Sequence, residues 1–491
     1  MKPYLVLCGW ALLLVAWLFG NPPFASTDES PNYIRAVDTR PAHLIGEPAP
    51  DQAVGVTPLQ TASLRHFTYW ATVPAGLAPA PVGCYVHDAH KSAQCITGFR
   101  APDVPTRLST YVGNYQPLPY LLSGALARRA STPDAAVRLG RLAMALATLL
   151  LLAVAGFALW DPDVGLLSLA GVLVAVTPMV LFIGASLNSS ALEISGAIAF
   201  CACLIRLAGD PGPVWWVLLA ISGAVLALAR TSGPIWLLLL AALALILRPK
   251  RSRVALPAVA VVLAAVVLNR IWEAKHGGGI GLYFRSIPAT IGRAPHEWWR
   301  SSSELIGKFG YLEYQLPLLY VAWFALGFAL IGLAFHVSDR RGRLLVGALT
   351  AFALLFPMLV WLLVVRQSGY GMQGRYVLPV LVAVPLVAGE LLRRNPRPVP
   401  GFAIAALPVA VGALQFIAWY LAARRSAVGV GGPLVFLGRA DWVPPGGWGP
   451  WLACAIAGGL LIAASATSPR APSYSRRRSA RAVTSASPPP P

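Results

Sequence analysis

Apolar runs of about 17 to 25 residues recur from one end of this chain to the other, and that is the length an α-helix needs to cross the hydrocarbon core of a bilayer. They stand near 4–20, 137–160, 165–182, 191–207, 214–229, 234–247, 254–268, 317–335, 344–365, 376–392, 402–421 and 450–466. Backbone polar groups in lipid must be satisfied within the segment that carries them. The expected fold class is therefore an all-α polytopic membrane protein with about twelve transmembrane helices. With 57% hydrophobic and only 12% charged residues over 491 positions, a soluble fold is excluded.

The formal net charge of +20 does not point to nucleic acid, because the basic residues fall between apolar runs rather than in one stripe with interleaved aromatics. They report topology. Counting the runs as spans puts Arg248, Lys250, Arg251 and Arg253 on one side, with Arg340, Arg341, Arg343, Arg393, Arg394 and Arg397, and the positive-inside rule makes that side cytoplasmic. Both termini share it, including the tail with Arg476, Arg477 and Arg478. The first 25 residues read as a retained anchor rather than a cleaved signal, since Pro23-Phe24-Ala25 is a poor cleavage site. Arginine heavily outnumbers lysine, as in GC-rich bacterial genomes, and the expected location is the bacterial cytoplasmic membrane.

Within a membrane domain of residues 1–468, three stretches fall outside the bilayer as outer loops: 21–112, 271–315 and 422–449. The first is too long for a helix connector and rich in turn formers, so short surface helices and a small lobe are expected there. The segment from Tyr115 to Leu126 is too short to span and reads as an interfacial or re-entrant helix. Residues 469–491 are rich in Ser, Arg and Pro and read as a disordered cytoplasmic tail. In the first loop, an oxidising exterior favours a disulfide between Cys84 and Cys95. A zinc site from Cys84, His87, His90 and Cys95 is the weaker alternative, because thiols facing an oxidising space usually pair.

Chemistry concentrates at the outer ends of the runs. Asp28 and Glu29 follow the first run directly, where Pro22-Pro23 keeps the chain close to the bilayer, and a carboxylate there can deprotonate a hydroxyl or hold a divalent cation. A merely solvated acidic loop is the competing account. Arg35 follows about two helical turns after Asp28 and is placed to meet a phosphate. Asn188 opens the run in which Glu193 lies, an intramembrane carboxylate that marks either a functional site or an interhelical hydrogen bond. Arg230, Arg366 and Arg375 stand at outer span ends, either as headgroup anchors or as fork-shaped donors for a phosphate or pyrophosphate. Glu390 with Arg393 and Arg394 at helical spacing is a local ion pair. No Walker A loop, dinucleotide-binding glycine pattern or nucleophile elbow occurs.

An ordered set of short motifs then adds a family. Asp28-Glu29 with Tyr33 and Arg35, Asn114-Tyr115-Gln116-Pro117 with Tyr120, Arg138 and Arg141, Thr177-Pro178-Met179 followed by Asn188, Arg230 with Gly233-Pro234, Phe309-Gly310-Tyr311, and Gln373-Gly374-Arg375-Tyr376 resemble the bacterial family called domain-of-unknown-function 2142, over about residues 5–420. That family in turn resembles the C-type glycosyltransferases, which use polyprenyl-phosphate sugars as donors. The resemblance implies that Asp28 is a general base and that Glu29 orients the acceptor or an arginine. Arg230 and Arg375 would hold the donor phosphate, with Arg35, Tyr115, Asn188, Glu193 and Gln373 also binding substrate and the segment from Tyr115 to Leu126 flanking the lipid entrance. The partners implied are a polyprenyl-phosphate sugar, a glycan or lipid acceptor and membrane lipids. Two departures, Asn32 where the family usually has histidine and Ser189-Ser190 where it often has an acid, make base catalysis without a metal the safer reading.

Two other classes compete: a transporter or flippase of a lipid-linked sugar, and a noncatalytic envelope-assembly protein. Inverted repeats with broken midplane helices would point to transport, and the sequence shows no convincing internal repeat. The discriminating observation is whether Asp28, Arg230 and Arg375 converge on one outward cavity.

Overall fold

The computed structural model describes residues 2–210, 212–250, 252–277, 286–394 and 399–466. In chain order its main elements are α1 (Lys2–Gly20), α2 (Glu29–Asp38), the strands β1 (Tyr69–Val73) and β2 (Thr106–Thr110), α3 (Leu118–Ala127), α4 (Pro133–Leu159), α5 (Ser190–Leu207), α6 (Pro213–Ala229) and α7 (Ala255–His276). There follow the two-residue strands β3 (Lys308–Phe309) and β4 (Tyr314–Gln315), then α8 (Pro317–Val337), α9 (Arg340–Leu363), α10 (Gly401–Val428) and α11 (Gly449–Ala464).

The chain is a helical membrane protein. Among the described residues seven helices are long and apolar enough to cross a bilayer, namely α1, α4, α5, α7, α8, α9 and α10, and the pair Gly165–Ala175 and Pro178–Gly184, bent by 66°, adds an eighth if taken as one span. Every apolar run of the sequence is helical for most of its length, but several are broken or short. Local chemistry explains the break before Pro178: Thr177 accepts from the Val180 amide (3.4 Å) and proline stands at the first helical position, so a new helix starts there.

The described helices pack by two devices. α5 is the centre of the bundle, 94% buried over its apolar window, and lies against α4 and α6. At the other side α11 docks through glycine: a Cβ on Gly458 would meet the Gly9 carbonyl of α1 at 2.8 Å, and one on Gly412 of α10 would meet the Gly459 carbonyl at 2.3 Å. Small residues let these backbones approach closely, as is common between helices in lipid.

The first outer loop carries the expected short surface helix, Pro58–Leu64, with none of its residues buried, and a folded lobe that also holds a small sheet. β1 and β2 pair antiparallel, with Tyr69 opposite Thr110. The aromatic and β-branched residues of Tyr69-Trp70-Ala71-Thr72-Val73 suit a strand. α2 does not lie on the surface, since all its residues except Ser30 are buried. The Tyr33 hydroxyl donates to the Leu77 carbonyl (2.8 Å) and Thr110 donates to the Pro31 carbonyl (2.8 Å). Cys84 and Cys95 are disulfide-bonded with Cα atoms 6.2 Å apart, and Arg425 of α10 donates to the neighbouring Tyr85 carbonyl (3.0 Å).

α3, expected as an interfacial or re-entrant helix, packs between α2 and α4, so close that a Cβ on Gly124 would stand 2.0 Å from the Ala36 carbonyl. One boundary, the end of α7, differs from the sequence reading. α7 runs to His276, past the expected loop start at Ile271, because its last turns bind the lobe: Trp272 donates to the Asn114 carbonyl (2.7 Å) and Gln116 donates to Glu273 (3.2 Å). Glu390 accepts from Arg393 (2.7 and 2.8 Å) and from Arg394 (2.5 Å). Arg251, Arg397 and the tail 469–491 lie outside the described residues.

Candidate active site

The turn after α1 carries the acidic pair. Pro22 and Pro23 cannot continue the helix, and three hydrogen bonds then fix the turn against distant parts of the chain. Ser26 meets the Ser186 hydroxyl (2.8 Å), Thr27 donates to the Gly310 carbonyl (2.8 Å), and Asn188 donates to the Thr27 carbonyl (2.9 Å). Asp28 follows at φ 57°, in the left-handed region where aspartate is tolerated better than most residues. It stands at the N-cap of α2 without making a cap bond. Its carboxylate instead accepts from the Tyr111 hydroxyl at Oδ1 (2.8 Å) and from Arg375 Nη2 at Oδ2.

Arg375 reaches Asp28 from the short turn Gly374–Tyr376. That turn is clamped from below: Glu304 accepts from the Gly374 amide (2.9 Å), and a Cβ on Gly374 would lie 2.7 Å from the Ser301 carbonyl. Gln373 accepts from Arg375 Nε (2.8 Å), which sets the plane of the guanidinium. Across the cleft, Arg230 ends α6, whose last carbonyls are capped by Asn269 of α7 (2.8 Å to Ala227, 3.0 Å to Arg230). Arg230 donates to Ser190 (3.2 Å) and Glu193 (3.3 Å). Glu193, fully buried, also accepts from Trp236 (2.8 Å) and Ser232. The Tyr376 ring lies near both guanidiniums, 5.7 Å from that of Arg230 and 5.6 Å from that of Arg375, and the Tyr115 ring is 5.6 Å from Arg230.

These groups line one cleft, walled by Asp28, Asn32, Tyr115, Asn188, Arg230 and Arg375 together with Val112, Ser189, Ser190 and Tyr376. Asp28 is the one acidic residue of that wall and faces two arginines. Burial pushes its pKa up, but the charge and hydrogen bond of Arg375, the Tyr111 hydroxyl and the charge of Arg230 outweigh that and hold it below the ordinary carboxylate value. Burial and the neighbouring Asp28 charge keep Tyr111 protonated far above neutral pH. The cleft thus presents an ionised carboxylate beside two guanidiniums.

The family described as predicted membrane protein (DUF2142) matches residues 11–384. The chain belongs to that family. In this DUF2142 protein, every residue of the cleft wall falls inside the matched stretch. Two crystal structures of ArnT from Cupriavidus metallidurans are similar to it. The one bound to undecaprenyl phosphate has 16% identity and a TM-score of 0.37, and the apo one 17% and 0.35. Each comparison covers 72% of this chain and 67% of the other. No curated protein sequence matches the DUF2142 chain.

Of the residues singled out in the sequence, Asp28, Tyr115, Asn188, Arg230 and Arg375 come together at the cleft, while Gln373 and Glu193 stand behind the two arginines. Three are placed elsewhere. Arg35 is 1% exposed within the lobe, donating to the Leu44 carbonyl (2.5 Å) with its guanidinium 5.6 Å from the Tyr120 ring. Glu29 is turned inward: Arg141 grips it with Nε (2.7 Å) and Nη2 (2.5 Å), and the Leu187 amide donates to it (3.1 Å). Arg366 binds the Leu362 carbonyl and Thr290 and does not line the cleft.

Several contributors had no sequence signal strong enough to find them. Tyr111 is 83 positions from its partner Asp28. The two departures from the family pattern are both used: Asn32 donates to the Asp28 carbonyl (2.6 Å) and Ser190 receives Arg230. To a divalent cation the cleft wall offers a single carboxylate, Asp28, which Arg375 and Tyr111 bind in this structure. Among the described residues no cluster of three or more His, Cys, Asp or Glu could hold a metal.

Proposed function

We propose that this protein is an integral membrane glycosyltransferase that moves a sugar from a polyprenyl-phosphate donor to a cell-envelope acceptor at the outer face of the cytoplasmic membrane. The observation that carries the reading is the convergence of one ionised carboxylate, Asp28, with two guanidiniums, Arg230 and Arg375, in one cleft. Its parts divide the work of glycosyl transfer. Asp28 takes the proton of the acceptor hydroxyl as that oxygen bonds to the anomeric carbon. The bond from that carbon to the phosphate oxygen breaks, its electron pair stays on the phosphate, and the arginines stabilise the charge that gathers there. Tyr376 and Tyr115 supply faces for the guanidiniums and walls for the sugar.

In this reading the chain spans the membrane twelve times, with the shorter helices completing spans and both termini cytoplasmic. Reporter fusions after Arg253 and Arg343 then read cytoplasmic and fusions within residues 51–103 exterior. An exterior signal at Arg343 overturns the topology.

The chemistry is tested in vesicles with a panel of polyprenyl-phosphate sugars. Asp28→Asn removes the proton acceptor and is expected to lower transfer by about 100- to 10,000-fold. Arg375→Lys cannot reproduce a bidentate fork and should weaken donor binding first. Full transfer by Asp28→Asn, or movement of the lipid-linked sugar across the bilayer with its phosphate bond intact, sinks the enzyme reading.

A further inference from the structure

Arg375 is 5% exposed and Asp28 29% exposed in their ion pair, so the carboxylate is the partner that cleft solvent reaches more easily. A carboxylate and a phosphate offer a guanidinium the same kind of paired oxygen acceptors. Oδ2 of Asp28 thus sits on Arg375 where an oxyanion of a ligand would sit. The other oxygen, Oδ1, is held separately by the Tyr111 hydroxyl (2.8 Å), which makes no demand on Arg375. Gln373 keeps the guanidinium aimed through Nε, whichever anion occupies Nη2.

Resting on the donor reading above, we propose that Asp28 is a built-in stand-in for the ligand phosphate. The arriving phosphate ester displaces Asp28 from Arg375, and the carboxylate, still tethered by Tyr111, is released as the proton acceptor. The anion site and the base are therefore never both free, and the donor must bind before the acceptor is deprotonated.

The consequence runs against ordinary expectation for an active-site residue: removing Asp28 improves binding. Undecaprenyl phosphate in nanodiscs is titrated onto the full chain for the wild type, Asp28→Asn, Arg375→Gln and the double variant. Asparagine tolerates the left-handed backbone at this position, and Asp28→Gly, which carries it without steric cost, serves as a second variant. Asp28→Asn should bind about tenfold tighter, equivalent to about 1.4 kcal/mol. That gain should vanish when Arg375 is already glutamine, because the cycle isolates their coupling. Simple through-space repulsion by Asp28 would leave the gain intact in the Arg375→Gln background, and that result overturns the exchange, as does unchanged or weaker binding by both Asp28 variants. Inorganic phosphate as a second probe identifies the source: a gain for the lipid alone marks a headgroup, an equal gain for both marks a free anion, and either supports the exchange. If no protein in the series binds either probe, the donor reading itself falls, which is distinguishable from binding that fails to tighten.

Discussion

Asp28 and Glu29 are sequence neighbours, each paired to an arginine, and they behave as two different kinds of region. The Glu29 pair is sealed: both side chains are 0% exposed, and Arg141 spends its remaining donors on the carbonyls of Leu18 (2.9 Å), Asn21 (2.7 Å) and Pro22 (2.7 Å). Those carbonyls are the unsatisfied end of α1 and the turn beyond it, so Arg141 closes a helix terminus and anchors α2 in one move. The Asp28 pair opens on the cleft, and its arginine comes from the far side of the sequence, 347 positions away. A saturated pair can only hold a structure. A pair with an open face can exchange partners, and the backbone that turns one carboxylate inward, φ 57° at Asp28, turns the other outward.

Breaking the sealed pair should have the largest effect on stability. Arg141→Met leaves the Glu29 charge buried without a partner and the end of α1 uncapped, and is expected to cost about 3–5 kcal/mol. Thermal unfolding in detergent reads it, and a melt indistinguishable from wild type would show that the pair is not structural. Asp28→Asn, measured in the same way, should cost only about 2 kcal/mol, between the values for surface and buried pairs, because solvent and the Tyr376 face still receive Arg375. Equal losses at the two sites would show that the two pairs do not differ in kind.

Much of this was legible in the sequence because periodicity and charge placement are local properties. The apolar runs mark the helices, and Arg230, Arg375 and Asn188 are legible as site residues because polar groups at the ends of apolar runs are costly and so need a reason, whereas Tyr115 enters only through the family resemblance. What was not legible is direction. Nothing in Asp28-Glu29 says which carboxylate faces the cleft, since that depends on one left-handed residue and on Arg141 lying opposite. Arg35 has the spacing of a phosphate ligand, yet α2 is buried in the lobe, and that burial turns the side chain inward. The small β1–β2 sheet is not legible because five-residue strands in a loop rich in turn formers leave too short a pattern against the helical background.

The contrast is sharpened by acid. The Asp28 pKa is depressed in the folded protein, so its pairing contributes stability above the unfolded value of 3.8, and that contribution is lost as pH falls below it through the folded value. The difference in melting between wild type and Asp28→Asn should therefore be constant from about pH 5 to 8 and shrink only below about pH 4. A difference that changes across neutral pH would mean that Asp28 is not held ionised in the cleft.

The smallest effect, and the most selective, belongs to Tyr111→Phe. It removes one hydrogen bond to Asp28 Oδ1 and leaves the Arg375 contact and the ring packing in place, at an expected cost of about 1 kcal/mol. Because the Tyr111 hydroxyl is one of the groups that depress the Asp28 pKa, its loss raises that pKa. The acid loss of stability should then begin at higher pH than in the wild type, on a profile lowered uniformly across neutral pH by that cost, because the Glu29 pair, which Tyr111 does not touch, is unchanged. Melts of the two proteins from pH 3 to 8 measure the displacement. If Tyr111→Phe lowers stability equally at every pH, the hydroxyl serves packing alone, and the tether that would hold Asp28 after it leaves Arg375 is not there.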